Sequence, residues 1–180
     1  SEAFGVDDMS AEKAIYDVTK GEMGMETSIA SDITKLYGLT RRTRTAAINA
    51  SILPKMLNTA NQTEQSVRGA GVKVPLMIMR GDGGVMEINE MKKRPVLTML
   101  SGPAASVMGS LMYLRASNGV YFEVGGTTTN IGVIKNGRPA IDYSVVGGHR
   151  TYITSLDVRV LGVAGGSMIR LSKSGVTDVG

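Results

Sequence analysis

The chain contains no cysteine and no tryptophan, and it has a single histidine in 180 residues. Without cysteine it has no disulfides, thiolate metal sites or cysteine nucleophile, which suits the cytoplasm, where we expect the protein to reside. One histidine excludes a histidine metal cage. His149 falls in a predicted turn, so a solvated turn residue explains it better than a Ser–His catalytic triad.

Aromatic side chains are also scarce, at 4% of residues, and the formal net charge is only +4. The basic residues are spread out and not interleaved with aromatics, so a nucleic-acid platform is not predicted. No apolar run approaches the ~18 residues of a membrane span, and the first ten residues do not resemble a signal peptide. We therefore expect a soluble protein that binds neither nucleic acid nor membrane.

Residues 1–71 form the predicted helical part of the chain. Apolar side chains recur at helical spacing in three segments, and the first of these follows cap residues that include Ser10. The third begins at Thr40 and contains Pro54, where we expect a kink. Glycines mark the predicted ends of the three helices: Gly21, Gly38 and Gly69.

Residues 72–180 form the predicted strand-rich part. One helix is expected within it, opened by Ser101 as the cap with Pro103 in the first turn. The strands at its centre are predicted over 120–124, 127–135, 139–147 and 152–160. Asn136-Gly137 between apolar runs predicts a tight hairpin turn. Helices followed by a mixed sheet indicate an α/β fold, either a single domain over 1–180 or a fragment of a larger protein.

The stretch "EVGGTTTN" is the first candidate binding site. Bare glycines let main-chain N–H groups form an anion nest, and the following hydroxyls can donate to phosphate oxygens. A carboxylate ahead of the turn can hold Mg²⁺ through water. The alternative is a glycine turn whose threonines serve only strand propensity. The candidate residues are Glu123, Gly125, Gly126, Thr127, Thr128, Thr129 and Asn130.

A second glycine cluster, "LGVAGGSMIR", predicts another backbone pocket that closes on a ligand held by the first. Its candidate residues are Gly162, Gly165, Gly166 and Ser167. Asp157, just ahead of this cluster, is either a ligand in the same cleft or a satisfied carboxylate at the end of a strand.

Several segments together resemble the hydantoinase A/5-oxoprolinase family, which includes N-methylhydantoinase and acetone carboxylase β-type subunits. They are "LYGLTRRTRTAAINASILP", "PLMIMRGDGG", "PVLTMLSGPAASVMGS", "FEVGGTTTNIGVIKNGRP" and "LGVAGGSMIR", and they cover nearly the whole chain. The resemblance implies an actin-like ATPase fold, with ribonuclease-H-like domains around a nucleotide cleft. In such proteins two phosphate loops clasp ATP, and "EVGGTTTN" matches the second loop.

The chain departs from the family pattern at four places. The family usually has aspartate at the positions of Glu123 and Asn130, and commonly histidine at that of Arg159. Where the family has Ser-Asn-Gly-Gly, this chain has Gly81, Asp82, Gly83 and Gly84. The first phosphate loop has no counterpart in the chain, so we expect the rest of the same protein, or a partner subunit, to supply it.

The resemblance implies that this chain is part of an ATP-dependent cyclic-amide hydrolase that activates the amide carbonyl by phosphorylation. Glu123 and Asn130 are then the catalytic candidates, the two glycine clusters bind the nucleotide, and Glu123, through water, and Asp157 are the Mg²⁺ candidates. The competing hypothesis is a nucleotide-responsive actin-like binding module without small-molecule catalysis. The isolated chain is expected to be inactive and to self-associate as a homo-oligomer through an open sheet edge.

Overall fold

The computed structural model of the chain describes residues 1–115 and 117–180 and has a mixed α/β architecture, as predicted. A π-helical turn at Val18–Glu22 extends the first helix, and a 3-10 turn at Pro95–Thr98 precedes the last. The helices are α1 (Ser10–Asp17), α2 (Ala30–Ile33), α3 (Leu39–Gly69), α4 (Ile88–Lys93) and α5 (Ser101–Leu114).

Among the described residues, the strands pair antiparallel in four small sheets. The largest sheet contains β3, β4, β5 and β8, with β4 pairing all three of the others; β1 pairs β2, β6 pairs β7, and β9 pairs β10. The strands are β1 (Met77–Met79), β2 (Val85–Glu87), β3 (Gly119–Val124), β4 (Thr129–Lys135), β5 (Arg138–Pro139), β6 (Ile141–Val146), β7 (His149–Leu156), β8 (Val158–Leu161), β9 (Ile169–Ser172) and β10 (Gly175–Val179).

A buried ion pair joins α1 to α3. Arg42 is fully buried, and its Nη2 atom donates to Glu12 Oε1 at 3.1 Å and to Ser31 Oγ at 2.7 Å. Its Nη1 atom donates to the carbonyls of Thr34 and Leu36. Because one side chain satisfies groups from three segments, Arg42 ties the N-terminal residues to the long helix.

Helix α3 also holds the hairpin of β6 and β7. The Arg41 guanidinium stacks on the rings of Tyr143 and Tyr152, with its carbon 4.7 and 4.1 Å from the two ring centroids. The same side chain donates to the carbonyl of Thr151 at 2.7 Å. These contacts fix the hairpin against the start of α3.

Helix α5 covers one face of the largest sheet. Its Ala104 and Val107 are buried in a cluster with Leu156, and Tyr121 and Val158 of the sheet pack against this cluster. The opposite face is open, as shown by three alternate residues of β3 that are 58–68% exposed: Val120, Phe122 and Val124. The sheet therefore has one covered face and one apolar face exposed to solvent.

The mainly helical character of Asp7–Gly71 and the mainly strand character of Val120–Val160 are confirmed. The strands are interrupted by turns at 125–128, 136–137 and 147–148 and by single residues at Ala140 and Asp157, so that Gly147, expected in a strand, lies in a turn. The tight turn is confirmed as well, since Asn136 and Gly137 both have positive φ, 52° and 71°. Thr127 and Thr128, which we expected to be strand residues, lie in the turn before β4.

The second helix, predicted in "TSIASDITKLYG" over 27–38, is wrong over most of its length, because only Ala30–Ile33 is α-helical. Arg42 binds the carbonyls of Thr34 and Leu36, which a continuing helix would need for its own hydrogen bonds. Gly38, expected to end this helix, instead precedes α3 with φ 111°.

One further local prediction needs correction. Ser101 is the first residue of α5 and not its cap, because Leu100 takes the cap position in the left-handed region with φ 60°. The amide of Ala104 donates to the carbonyl of Leu100 at 3.0 Å. Pro54 lies within α3, which continues as a helix on both sides of it, and the kink expected there stays a prediction.

Among the described residues, no helix combines the length and the apolar character that crossing a membrane requires.

Acid should weaken this fold through Glu12. Burial alone would raise the pKa of Glu12, but hydrogen bonds from Ser31, Glu2 and Arg42 outweigh it and lower the pKa from 4.5 to about 2. The carboxylate therefore stabilises the fold fully above pH 4.5, and this contribution is lost as the pH falls toward about 2. We expect the urea midpoint of unfolding to decrease as the pH falls from about 4.5 to about 2.

The matched variants are Glu12→Gln and Glu26→Gln. Glu12→Gln leaves the buried Arg42 without its counter-charge, a loss of about 3–5 kcal/mol at neutral pH, and its midpoint should vary less in acid. Glu26→Gln removes only the exposed pair with Lys20, 3.8 Å apart, and should follow the wild-type profile. A wild-type midpoint that stays constant over this pH range contradicts the role assigned to Glu12.

Candidate functional site

The first glycine cluster forms a tight turn between β3 and β4. The amide of Gly125 donates to the carbonyl of Thr128 at 3.0 Å, which closes the turn. Gly125, Gly126 and Thr127 are exposed. Among the described residues, none accepts a hydrogen bond from the N–H groups of Gly126 and Thr127. These two donors are available to an anion, as the nest hypothesis requires.

The second glycine cluster lies directly against the first. The amide of Gly165 donates to the carbonyl of Gly125 at 3.0 Å, and the amide of Gly166 donates to the carbonyl of Gly126 at 2.8 Å. The two clusters stand 40 residues apart in sequence, and the pairing of β4 with both β3 and β8 brings them together. The structure thus joins both predicted clusters in one backbone surface.

The glycines at this contact serve different purposes. A Cβ at Gly166 would lie 2.6 Å from the carbonyl oxygen of Gly126, and one at Gly165 would lie 3.3 Å from that of Gly125. Gly166 is therefore required by the contact between the loops. A Cβ at Gly126 would meet nothing within 4 Å, so this glycine leaves open space on the exposed side of the turn.

Two hydroxyls of the predicted site hold the loops. Thr129 Oγ1 donates to the carbonyl of Val163 at 2.6 Å and so joins the end of β4 to the second cluster. Ser167 Oγ accepts from the amide of Ala164 at 3.0 Å and closes a turn within the second cluster. Gly162 lies at the start of that cluster, just after β8, and is exposed. Thr127 and Thr128 are the hydroxyls left at the open turn.

Glu123 and Asn130 face each other across β3 and β4. They are register partners, and Asn130 Nδ2 donates to Glu123 Oε2 at 3.3 Å. The Tyr121 hydroxyl donates to the same oxygen at 2.9 Å. Hydrogen bonds from Tyr121, Asn130 and Ser106 hold the pKa of Glu123 below its usual 4.5, so the group is ionised at neutral pH.

The remaining candidates lie away from the loops. Asp157 is exposed between β7 and β8, and its amide donates to the carbonyl of Ala140 at 2.8 Å. It stands three residues before Val160, the partner of Asn130, which is about 10 Å along an extended strand. Arg159 pairs with Ile131 and, by alternation along β8, points to the face opposite Glu123. The exposed His149 begins β7 directly after the Gly147-Gly148 turn.

Sequence analysis missed Tyr121 and Ser106 as neighbours of Glu123. Alternation along β3 places Tyr121 and Glu123 on one face and could have suggested the first. No local pattern indicates Ser106, because it reaches the site only through the packing of α5 on the sheet. With Glu123, both residues line a cleft of about 520 Å³ between α5 and β3.

A larger cleft, about 810 Å³, lies between α1, α3 and α4 and contains none of the candidate residues. It is lined by side chains of α1, α3 and α4, several of which form ion pairs, such as Lys92 with Glu64 at 2.7 Å and Lys93 with Glu90 at 2.9 Å. Ion pairs within the chain therefore neutralise much of the charge that lines this cleft. We therefore place the candidate site at the glycine loops.

The described residues contain no group of three or more acidic, histidine or cysteine side chains arranged to hold a metal. Glu123 is the carboxylate closest in sequence to the loops. Magnesium ordinarily keeps several waters and needs only one or two protein carboxylates beside substrate phosphates. A single ionised glutamate fits a magnesium–nucleotide complex but not a metal held by this chain alone.

Comparison with known proteins agrees with the resemblance. The alpha subunit of caprolactamase from Pseudomonas jessenii is 27% identical over 143 residues, covering 77% of this chain and 20% of the relative. The gamma subunit of acetophenone carboxylase from Aromatoleum aromaticum is 28% identical over 161 residues, covering 84% of this chain and 20% of the relative. The chain thus spans about a fifth of the length of these relatives.

Two solved structures share the fold. The nucleotide-free structure of acetone carboxylase has a TM-score of 0.75 at 19% identity, over 96% of this chain and 26% of that one. The crystal structure of ATP-dependent caprolactamase from Pseudomonas jessenii has a TM-score of 0.74 at 21% identity, over 93% and 25%. The model of the hydantoinase/oxoprolinase family matches residues 42–180, and the chain belongs to this family.

Proposed function

We propose that this chain supplies one side of the ATP site in an enzyme that activates and hydrolyses a small cyclic amide. The observation that carries the proposal is the contact between the two glycine clusters, which presents the free N–H groups of Gly126 and Thr127 on an exposed turn. Such donors, together with the hydroxyls of Thr127 and Thr128, suit a polyphosphate. An actin-like ATPase fold, with a second phosphate loop elsewhere in the protein, is part of this proposal.

The proposed reaction proceeds in two steps. The amide oxygen attacks the γ-phosphorus of ATP; a new P–O bond forms, the bond to the β-phosphate oxygen breaks, and ADP leaves. Water then attacks the activated carbon, the ring C–N bond opens, and phosphate is released, so that amide, ATP and water give the amino acid, ADP and phosphate. Magnesium bound to the phosphates would neutralise their charge.

This chain contributes positioning and charge to these steps. The N–H groups of the first turn hold phosphate oxygens, and Gly162, Gly165, Gly166 and Ser167 lie along the nucleotide. Glu123 is ionised and orients water beside the phosphates, and the Asn130 amide holds its carboxylate in place. Because transfer of a phosphoryl group depends mainly on positioning and charge neutralisation, these are the contributions that such a site requires.

The names of the relatives support this class of reaction. Caprolactamase is described as ATP-dependent, and acetone carboxylase is described as acting by ATP-dependent carboxylation. Both reactions begin from a carbonyl compound and use ATP. The relatives are also named as alpha and gamma subunits, which supports a partner subunit for the longer protein.

A nucleotide-responsive binding module is the second candidate. Asn130 favours it, because this position holds a neutral amide bonded to Glu123 where a second carboxylate would assist metal binding. One assay on the full-length protein distinguishes the enzyme hypothesis from the binding-module hypothesis. Phosphate release from ATP that increases with a cyclic amide supports the enzyme, whereas ATP binding without such dependence supports the module.

Replacing Gly126 with valine in the full-length protein should weaken ATP binding by about tenfold or more. The side chain would occupy open space where phosphate is proposed to lie. Its Cβ would meet no protein atom within 4 Å, so we expect the fold to persist. Isothermal titration with ATP measures the effect. Gly119→Val, at the other end of β3 and equally unobstructed, is the matched control and should bind ATP normally. Unchanged affinity in folded Gly126→Val would show that Gly126 serves the turn alone.

Gly166→Ala should change the stability and local dynamics of the protein even when no ligand is bound. Its Cβ would lie 2.6 Å from the carbonyl oxygen of Gly126, so the loops must separate and the amide of Gly166 must lose its acceptor. We expect faster hydrogen exchange at Gly166 and a loss of about 1–3 kcal/mol in stability. Gly126→Ala should change neither quantity. Equal exchange rates in the two variants would contradict the loop contact.

The 180-residue chain alone should release little or no phosphate from ATP. It supplies one side of the proposed phosphate site, and phosphoryl transfer needs both sides together with metal and acceptor. The exposed residues of β3 and its unpaired edge should also promote self-association. Light scattering beside a phosphate-release assay tests both expectations. A monomer that hydrolyses ATP at an enzyme-like rate would refute the view that this chain supplies only one side of the phosphate site.

A further inference from the structure

The hairpin of β9 and β10 stands apart from the rest of the structure. Every residue of both strands is exposed, and among the described residues the two strands pair only with each other. A two-stranded hairpin that has neither a third strand nor a packed face is at best marginally stable in water. The hairpin therefore needs another surface on which to pack.

A β-bulge gives this hairpin one apolar face. The register of the two strands shifts between Val176 and Asp178. Without this shift, Val176 and Val179, three positions apart, would lie on opposite faces of β10. With it, the apolar residues form two cross-strand pairs on the same face: Val176 with Leu171 and Val179 with Ile169. These four side chains are 39–72% exposed, so the apolar face points into solvent.

The open face of the largest sheet is a second apolar surface that the described residues leave uncovered. Cross-strand pairing and alternation place there a set of apolar side chains that are 46–68% exposed: Val120, Phe122, Val124, Val133 and Leu161. Arg159 points to the same face, and its long side chain can keep the guanidinium in water while the stem lies along apolar neighbours. Because β-structures pack face to face, this surface and the hairpin suit each other.

The hairpin does not lie on the sheet of its own chain, since both apolar faces are exposed. The backbone contact between the glycine loops fixes the place where the hairpin starts. Ile169 follows three residues after Gly166, whose amide is bonded to the carbonyl of Gly126 at the end of β3. A second copy of the chain can receive the hairpin on its open sheet face without any change in this contact.

We propose that two copies of this chain form a dimer in which the hairpin of each copy packs on the open sheet face of the other. One such contact is small beside the about 800 Å² that each partner buries in a standard interface. A two-fold axis forms the contact twice, because each copy carries both faces, and it closes the assembly at two chains. The dimer removes both apolar faces from water and gives each hairpin the packing that it lacks alone.

The absence of cysteine allows a cross-linking test on the 180-residue chain. One preparation carries Leu171→Cys on the hairpin, and the other carries either Val133→Cys or Val160→Cys on the sheet. Val133 and Val160 are both 46% exposed, but Val133 lies on the open face and Val160 on the face of Glu123. A bismaleimide that spans about 10 Å, the separation of packed sheets, can link thiols across the contact.

We expect Leu171→Cys to form several-fold more cross-linked dimer with Val133→Cys than with Val160→Cys. Equal yields at the two valine positions, or no product with Val133→Cys, overturn the proposal. A larger yield within the Leu171→Cys preparation alone would show that hairpins pair with hairpins, which overturns it as well.

Light scattering tests the same contact in chains without cysteine. The wild-type chain should be a dimer, and Leu171→Ser should raise its dissociation constant by about tenfold or more, because the dimer loses a buried leucine at each of its two contacts. Arg170→Ser, on the opposite face of β9, is the matched control. It removes only the exposed pair with Asp178, 3.7 Å apart, and should leave the dimer intact.

Two outcomes of the light-scattering experiment contradict the proposal. A dimer that persists unchanged in Leu171→Ser would assign the association to the unpaired edge of β3. A monomeric wild-type chain would leave both apolar faces to other parts of the longer protein.

Discussion

The contact between Gly125–Gly126 and Gly165–Gly166 is the constraint on which the candidate site depends. Two backbone hydrogen bonds of 3.0 and 2.8 Å hold the loops so close that a Cβ at Gly166 would overlap a carbonyl oxygen. The contact forms because β4 pairs with β3 on one side and β8 on the other. A central strand thus joins two segments that are distant in sequence. Backbone hydrogen bonds, together with the hydrogen bond from Thr129 to the carbonyl of Val163, set the distance between them.

The sequence predicted the features that depend on local chemistry. The Asn136-Gly137 turn follows from two residues that tolerate positive φ, and α5 follows from a run of apolar and small residues with Pro103 in the first turn. Proximity of the two glycine clusters was expected as well. Neither cluster alone indicates which glycines are crowded and which adjoin open space, because that distinction arises only when the carbonyls of one loop lie against the glycines of the other.

The features that sequence analysis missed are set by contacts over long distances. Arg42 shortens the predicted second helix by binding the carbonyls of Thr34 and Leu36, and nothing in the helical periodicity of that segment anticipates such competition. Ser106 reaches Glu123 only because α5 packs on the sheet. In both cases a side chain from another element forms a hydrogen bond with a polar group. The bonds from Arg42 override the helical propensity of residues 34–36, and the bond from Ser106 adds a neighbour to Glu123.

Asn130 and Glu123 face each other across β3 and β4, and this pair carries a single negative charge. A carboxylate at position 130 would face Glu123 across the strands at about the present 3.3 Å, and two such groups need a cation or a shared proton. The amide instead donates to Glu123 and, with Tyr121, keeps its pKa low. The glutamate is therefore held ionised and oriented without metal. Such a carboxylate keeps acceptor positions for further hydrogen bonds and needs no cation beside it to stay in place.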